Sequence, residues 1–406
     1  MRNSTINTRR LMNRAALLLA FIAVLAVAST RMRAEAGMCG GNNVSLPFAD
    51  VQGNQFFCQI AAAYFSGLTN GTGPNSYSPG NNVSREQMAA FITRTLDQSL
   101  RRGSRRAALE RWWTPQGPTD IALTTVGQAP RNVKSDGEHL WVANGDGTVS
   151  QVQASTGKLL GTWTGADTTW DLLVARGGIY VTGLDNPGKL YRIDPAQSPG
   201  AMIQVPVNLG NNSRGIAYDG SRIWITNTGF GSGGGSVSIV SFNPLPSAIT
   251  ISTGFVVPTG ILYDGNNIWV GEFSDGTIKK LDADGNIIHT VDVDGAPKDM
   301  VFDGTNIWVT CTLGEPSNLT VIRAATGAVI ATLTGNGIFD PTDIAFDGER
   351  ILVTNLAGDT VSMWKATDLT PLGFFPTGNN TDPQGVCSDG INFWVTLFAT
   401  NRLARF

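Results

Sequence analysis

The feature that most restricts what this chain can fold into is a phrase that keeps returning, of the form apolar-x-Asp-Gly-x-x-Ile-Trp-Val. Copies run from Asp136-Gly137 to Trp141, Asp219-Gly220 to Trp224, Asp264-Gly265 to Trp269, Asp303-Gly304 to Trp308, Asp347-Gly348 to Leu352 and Asp389-Gly390 to Trp394. A blurred copy, Arg176-Gly177-Gly178-Ile179-Tyr180-Val181, fills the gap after the first. The landmarks 141, 180, 224, 269, 308, 352 and 394 are spaced 39, 44, 45, 39, 44 and 42 residues apart. Seven units of that period, each with room for four short strands, predict an all-β seven-bladed β-propeller.

Each unit parses alike. In the sixth, Asp343–Phe346 reads as the inner strand, Asp347-Gly348 as a turn supplying positive φ, and then come strands at 351–354, 360–364 and 371–375. The chain ends in a third strand, Leu403–Phe406, with no fourth. Residues 120–126, ahead of the first unit, look like an outer strand lacking a blade. They are expected to complete the last blade and close the ring, which removes two exposed edges. The propeller is therefore assigned to 119–406.

Upstream the chain changes character. Residues 1–14 are polar and basic, Ala15–Ala28 is unbroken apolar, and Ala34-Glu35-Ala36 has the small-x-small pattern of a cleavage site. Residues 1–36 therefore read as a signal peptide. Fourteen helical residues reach only about 21 Å, short of a bilayer core of about 30 Å. No later segment is apolar enough to span as a helix. Residues 101–118 read as a basic helix and a Pro/Gly linker.

Between them lies a small module, 37–100, in which 46–100 reads as helix–loop–helix. Phe56, Ile60 and Tyr64 stand at helical spacing, and Ser84-Arg85-Glu86-Gln87 is a capping box ahead of an apolar stripe, Met88, Phe91, Ile92 and Leu96. The series Phe48-x-Asp50-Val51, Phe57, Ile60, Gly67-Leu68, Gly71, Tyr77-x-Pro79, Val83–Ala89, Phe91 and Arg94 resembles the S-layer homology family in order and spacing. The resemblance implies association with a cell-wall polymer or peptidoglycan, with Ser84, Arg85 and Glu86 at the binding motif. Arg85 then pairs with an anionic sugar substituent or is a solvated surface residue. Members of that family usually carry three copies; this chain has one.

The propeller units resemble the YVTN and NHL surface-protein repeats, most closely at Leu140–Asn144 with Thr148-Val149, and at Leu319–Val321 with Thr326-Gly327. A more distant resemblance is to virginiamycin B lyases, which implies an extracellular propeller enzyme as the alternative to a binding or scaffold platform. The residues favour the platform, with no catalytic group and no cofactor. The chain has two histidines: His139 falls in the turn before a second strand and His289 in an outer strand, both away from the axis. Only Glu272 stands where an acid at the funnel is expected, and no base–nucleophile pair can be assembled. Asp282-x-Asp284-Gly285 and Asp292-x-Asp294-Gly295 read as turns rather than metal loops.

Charge adds a boundary. Net charge is −3 overall. Residues 1–36 hold six arginines and one acid, so their removal leaves −8. Residues 119–406 alone, with 16 basic and 27 acidic side chains, stand at −11, which disfavours nucleic acid as a partner. The expected ligand surface, for a protein or glycan, is the funnel mouth where inner strands begin: Arg131, Asn132, Arg214, Lys298, Asp299, Thr342, Asp343 and Gln384. Asn144, Asn227, Asn355 and Glu272 are placed with them. These groups either hold a ligand or satisfy one another around the axis. Of the four cysteines, Cys39 and Cys58 are the candidate disulfide of an exported chain, whereas Cys387 belongs to an inner-strand core column.

Overall fold

The computed structural model describes residues 35–39, 42–65, 69–101, 123–230, 234–314 and 316–406. Residues 1–34 of the expected signal peptide, Gly67-Leu68 and residues 102–122, which hold most of the expected basic helix and linker, lie outside them. The chain divides into two compact units, Met1–Gln98 and Ser99–Phe406, and each is described by itself.

In the small unit, β1 (Glu35–Cys39) and β2 (Asn42–Leu46) form an antiparallel hairpin, followed by α1 (Phe57–Phe65) and α2 (Arg85–Arg101). The hairpin begins before the expected mature terminus, with Glu35 opposite Leu46 and Ala36 opposite Ser45. Cleavage after Ala36 thus removes the first two of its five pairs. Leu46, Phe48, Val51, Phe57, Ile60 and Ala61 form the core. Phe48 stacks edge-on against Tyr64 at 5.2 Å. Phe56, expected to point inward, is 55% exposed, and its neighbour Phe57 takes the core position. The reason is register: α1 begins at Phe57, and Asn54 Oδ1 accepts the Phe56 N–H as a cap. Asp50 accepts the Ser76 hydroxyl and the Tyr77 and Ser78 amides, and so ties the loop to the turn ahead of the first helix. The capping box forms as read: Gln87 N–H donates to Ser84 Oγ at 3.2 Å, and Ser84 N–H to Gln87 Oε1 at 2.9 Å. Of the stripe behind it, Met88 and Ile92 are exposed and Phe91 is half-buried.

In the second unit the described strands form seven four-stranded antiparallel sheets, each in simple meander order. Blade 6 shows the pattern, with strands Pro341–Phe346, Arg350–Asn355, Thr360–Lys365 and Pro371–Pro376. Blade 7 is closed from the far end of the chain. Leu123, Thr124 and Thr125 pair with Ala404, Leu403 and Arg402 as its outer strand. Asp120–Ala122 lie outside the described residues.

The recurrent Asp explains the repeat. In blade 5, Asp303 Oδ1 accepts the amides of Thr305 (2.8 Å) and Asn306 (2.6 Å), and Oδ2 accepts the indole N–H of Trp308 (2.8 Å). The same hook joins Asp136 to Trp141, Asp219 to Trp224, Asp264 to Trp269 and Asp389 to Trp394. The glycine after each Asp has positive φ, 94° at Gly304, which a side chain resists. Blade 6 has Leu352 in place of Trp, and there Arg350 Nε donates to Asp347 at 2.7 Å instead. Each anchored Trp then packs on the following blade: Trp269 of blade 4 lies against Met300, Ile307 and Val309 of blade 5.

Asp303→Ala leaves the buried Trp308 indole N–H and two turn amides without an acceptor. We expect a loss of about 2–3 kcal/mol, seen as a lower urea midpoint at unchanged slope. Asp303→Asn, which keeps one carbonyl acceptor, should lose less.

Candidate funnel-mouth ligand site

The inner strands do not run straight into the axis. In blades 3 to 7 the register with the second strand shifts at the start of the inner strand, as between Pro258 and Ile261 or Pro341 and Ile344. Blade 1 shifts between Pro130 and Asn132. This bulge frees up to two residues per blade from the ladder. They are Arg214-Gly215, Thr259-Gly260, Lys298-Asp299, Thr342-Asp343 and Gln384-Gly385 in blades 3 to 7; blade 1 frees Arg131 alone, with Asn132 paired to Ala143, and Trp170-Asp171 stand ahead of the inner strand of blade 2.

A ring of threonines fixes them. Two residues after five of the seven landmarks, Thr182, Thr226, Thr310, Thr354 and Thr396 accept an amide from their own blade, as Asp299 N–H to Thr310 at 3.0 Å and Gly385 N–H to Thr396 at 2.7 Å. The same hydroxyls donate to the next blade, Thr182 to the Arg214 carbonyl at 2.7 Å and Thr354 to that of Gln384 at 2.6 Å. Blade 4 has Gly271 at this position, and Thr259 bridges to the Pro297 carbonyl instead. Glycine at the second funnel position permits close approach: a Cβ on Gly385 would stand 2.5 Å from Asn132 Cα.

The result is a cavity of about 250 Å³ at the mouth, lined in part by Arg131, Asn132, Arg214, Lys298, Asp343 and Gln384. Asp299 and Thr342 join them. Eight funnel residues expected from sequence therefore meet at one site. Four others do not. Asn144, Asn227 and Asn355 are fully buried and donate to hydroxyls of their own blades, respectively Ser150, Ser238 and Ser362. Glu272 is fully buried; it accepts the Val256 amide at 3.0 Å and that of Val257, with Lys279 Nζ 3.6 Å away. The physical reason is common to all four. The second strand lies one strand out from the axis, and the residue three after the landmark, Asn144, Asn227, Glu272 or Asn355, turns toward the connection into the third strand.

Sequence reading missed Trp170, Asp171, Phe273 and Leu356, which also line the cavity. Trp170 is central. Arg131 Cζ lies 4.4 Å and Arg214 Cζ 4.2 Å from its ring centroid, reaching it from the blades on either side. The Nε atoms of both arginines are buried without an acceptor. Burial, reinforced by Arg131, pulls the Arg214 pKa down to about 10. Lys298, by contrast, is committed to Asp340 at 2.8 Å. The signal that could have found Trp170 is its alignment with Arg131, Arg214 and Lys298, obscured because blade 2 lacks the Asp-Gly turn.

Below the arginines is an acidic floor. Asp343 accepts the amides of Ile344 and Val386, and Asp171 accepts that of Leu172. Asp299 is hydrogen-bonded to Asp343, and burial with that neighbouring carboxylate holds its pKa well above the usual range. Burial raises Asp171 to about 6, against the pull of Lys134 at 4.0 Å. Lys134 is raised in turn: burial opposes its charge, but the three carboxylates outweigh that. Asp171 and Asp299 also line the cavity of about 500 Å³ on the far side, so this cluster plugs the axis.

The other expected sites are simply placed. Arg85 and Glu86 are exposed, and Ser84 is committed to its cap. Cys58 is disulfide-bonded, whereas Cys311 and Cys387 are buried free thiols; the side chain of Cys39, the expected partner of Cys58, lies outside those described. Asp282 Oδ1 accepts the amides of Asp284 and Asn286, the turn expected there. His139 sits 3.5 Å from Asp136, and His289 on the outer strand of blade 4. Among the described residues no group of three or more His, Cys, Asp or Glu side chains is arranged to hold a metal, and no helix is long and apolar enough to cross a membrane.

Comparison with known proteins agrees on both units. Residues 47–89 match the S-layer homology domain. A streptogramin B lyase structure is similar at 18% identity and TM-score 0.57, over 68% of this chain and 93% of that one. Hydrazine synthase of Kuenenia stuttgartiensis is similar at 19% and 0.58, over 72% and 97%. The Cps50 (Swd1) propeller domain of Myceliophteria_thermophila is similar at 12% and 0.54, over 70% and 99%. At such identities the likeness is one of fold. No curated protein matches the chain.

The floor makes a pH prediction. A native Asp171 that titrates near 6 holds its proton, between about pH 4 and 6, more tightly than the unfolded chain does. Its contribution therefore favours folding at the acid end and is lost as pH rises through 6. Lys134→Met leaves three carboxylates without their cation. We expect a loss of roughly 2 kcal/mol at pH 7, less than for a fully buried pair because Lys134 is one-third exposed. The loss should shrink at pH 5, below the value of about 6 to which Asp171 is raised, where it takes up its proton. Thermal unfolding at the two pH values checks it.

Proposed function

We propose that this is an exported, envelope-associated binding protein. The S-layer homology domain associates with a cell-wall polymer, and the propeller presents its funnel mouth to a ligand. The domain match supports the cell-surface role, since such domains bind wall polymers generally. The observation that carries the ligand site is the pair of arginines stacked on Trp170 with buried, unpartnered Nε atoms. A purely self-satisfied polar ring does not account for them.

The lyase-like alternative has less support. Glu272, the one acid that sequence placed at the funnel, is engaged by two backbone amides and Lys279, and neither histidine lines the mouth cavity. At the wall, Arg85 is the group able to pair with an anionic substituent, because it is exposed and has no side-chain partner among the described residues.

Co-sedimentation with purified cell-wall sacculi tests the reading. The full chain should pellet, and Arg85→Glu should reduce the bound fraction severalfold. A wild-type chain that stays in solution with sacculi would reject wall association.

A further inference from the structure

The chemistry at the funnel mouth is specific enough to name a ligand class, and the argument rests on the reading of that mouth as a ligand site. Cations and anions both line it, so what matters is which charges are already compensated. The floor carboxylates accept backbone amides, Asp299 is bonded to Asp343, and Lys134 lies beneath them. Lys298 is neutralised by Asp340. Arg131 and Arg214 have no hydrogen-bond or ion-pair partner among the described residues, only the faces of aromatic rings. Two uncompensated guanidiniums therefore face the opening.

We propose that the mouth binds a carboxylate carried on a small, partly apolar body, with Arg131 and Arg214 donating to the carboxylate oxygens. Guanidinium forks match a planar carboxylate, and charge-assisted bonds to it are the strong kind. A monoanion suits the site better than a dianionic phosphate, because the acidic floor repels a second negative charge. The apolar side of the ligand meets Phe273 and Leu356, which line the cavity from blades 4 and 6. Phe398 and Phe230 flank the two guanidiniums at 5.4 and 5.7 Å and restrict water around them. A volume of about 250 Å³ is below that of pockets for drug-sized ligands. The body is thus of the order of one sugar or one amino acid, either free or as the end of a longer chain.

Calorimetric titration of the full chain with benzoate, glucuronate, benzamide, glucose and inorganic phosphate tests this, with Trp170 fluorescence as a second readout. Benzoate or glucuronate should bind, and their neutral counterparts benzamide and glucose should bind at least tenfold more weakly. Arg131→Gln and Arg214→Gln should each weaken carboxylate binding tenfold or more, and Arg214→Lys should weaken it less than Arg214→Gln. Equal binding of benzamide and benzoate in the wild-type chain overturns the proposal without reliance on any variant. So does the absence of binding by every carboxylate at millimolar concentration, or phosphate binding tighter than benzoate. Carboxylate binding by a chain that does not pellet with sacculi would retire the wall association and leave the funnel proposal standing. The reverse pair of results would do the opposite.

Discussion

The carboxylate at the first turn of each blade is the interaction on which the rest depends. One Asp side chain accepts two amides that the tight turn would otherwise leave unpaired, and holds the indole of the residue five places on. That fixes the Trp rotamer, and the Trp then fills the space between its blade and the next. A local turn is thereby coupled to a long-range contact. Blade 6 shows what the hook must supply, because there Leu352 packs on blade 7 while Arg350 takes over the carboxylate.

A second device, the threonine ring, decides where function can sit. Each hydroxyl joins the bulged start of its own inner strand to the neighbouring blade, so seven strand starts are held around one opening. The frame is nearly uniform, but the side chains it carries are not. Blades 1 and 3 supply arginine, blade 2 tryptophan, and blades 2, 5 and 6 the acidic floor. The asymmetry is chemical, built on a symmetric scaffold, as expected where fold and site are separately specified.

Much of this was legible beforehand. The period gave the blade count, and the orphan strand at 120–126 gave the closure, seen as Leu123–Thr125 beside Arg402–Ala404. Eight funnel residues followed from the start of each inner strand. Asn144, Asn227, Asn355 and Glu272 misled because a column of aligned polar residues looks the same whether it faces the axis or ties off a blade's own loop. Trp170 was overlooked because blade 2 has Arg176-Gly177 where the others have Asp-Gly. In the small unit, helical spacing nominated Phe56, but a helix start one residue later turned Phe57 inward instead.

The sequence by itself determined the architecture, since Asp-Gly turns, landmark Trp residues and strand alternation are local signals repeated often enough to overdetermine a ring. It determined the small module too, through a capping box and a loop motif of fixed spacing. Only the tertiary structure decided which polar groups were already satisfied. Compensation is a property of neighbours from different blades: Lys298 meets Asp340, Lys134 meets Asp171, and Arg131 and Arg214 meet only aromatic rings. Those partners stand some 40 residues apart in the chain, and their pairing exists only once neighbouring blades have packed.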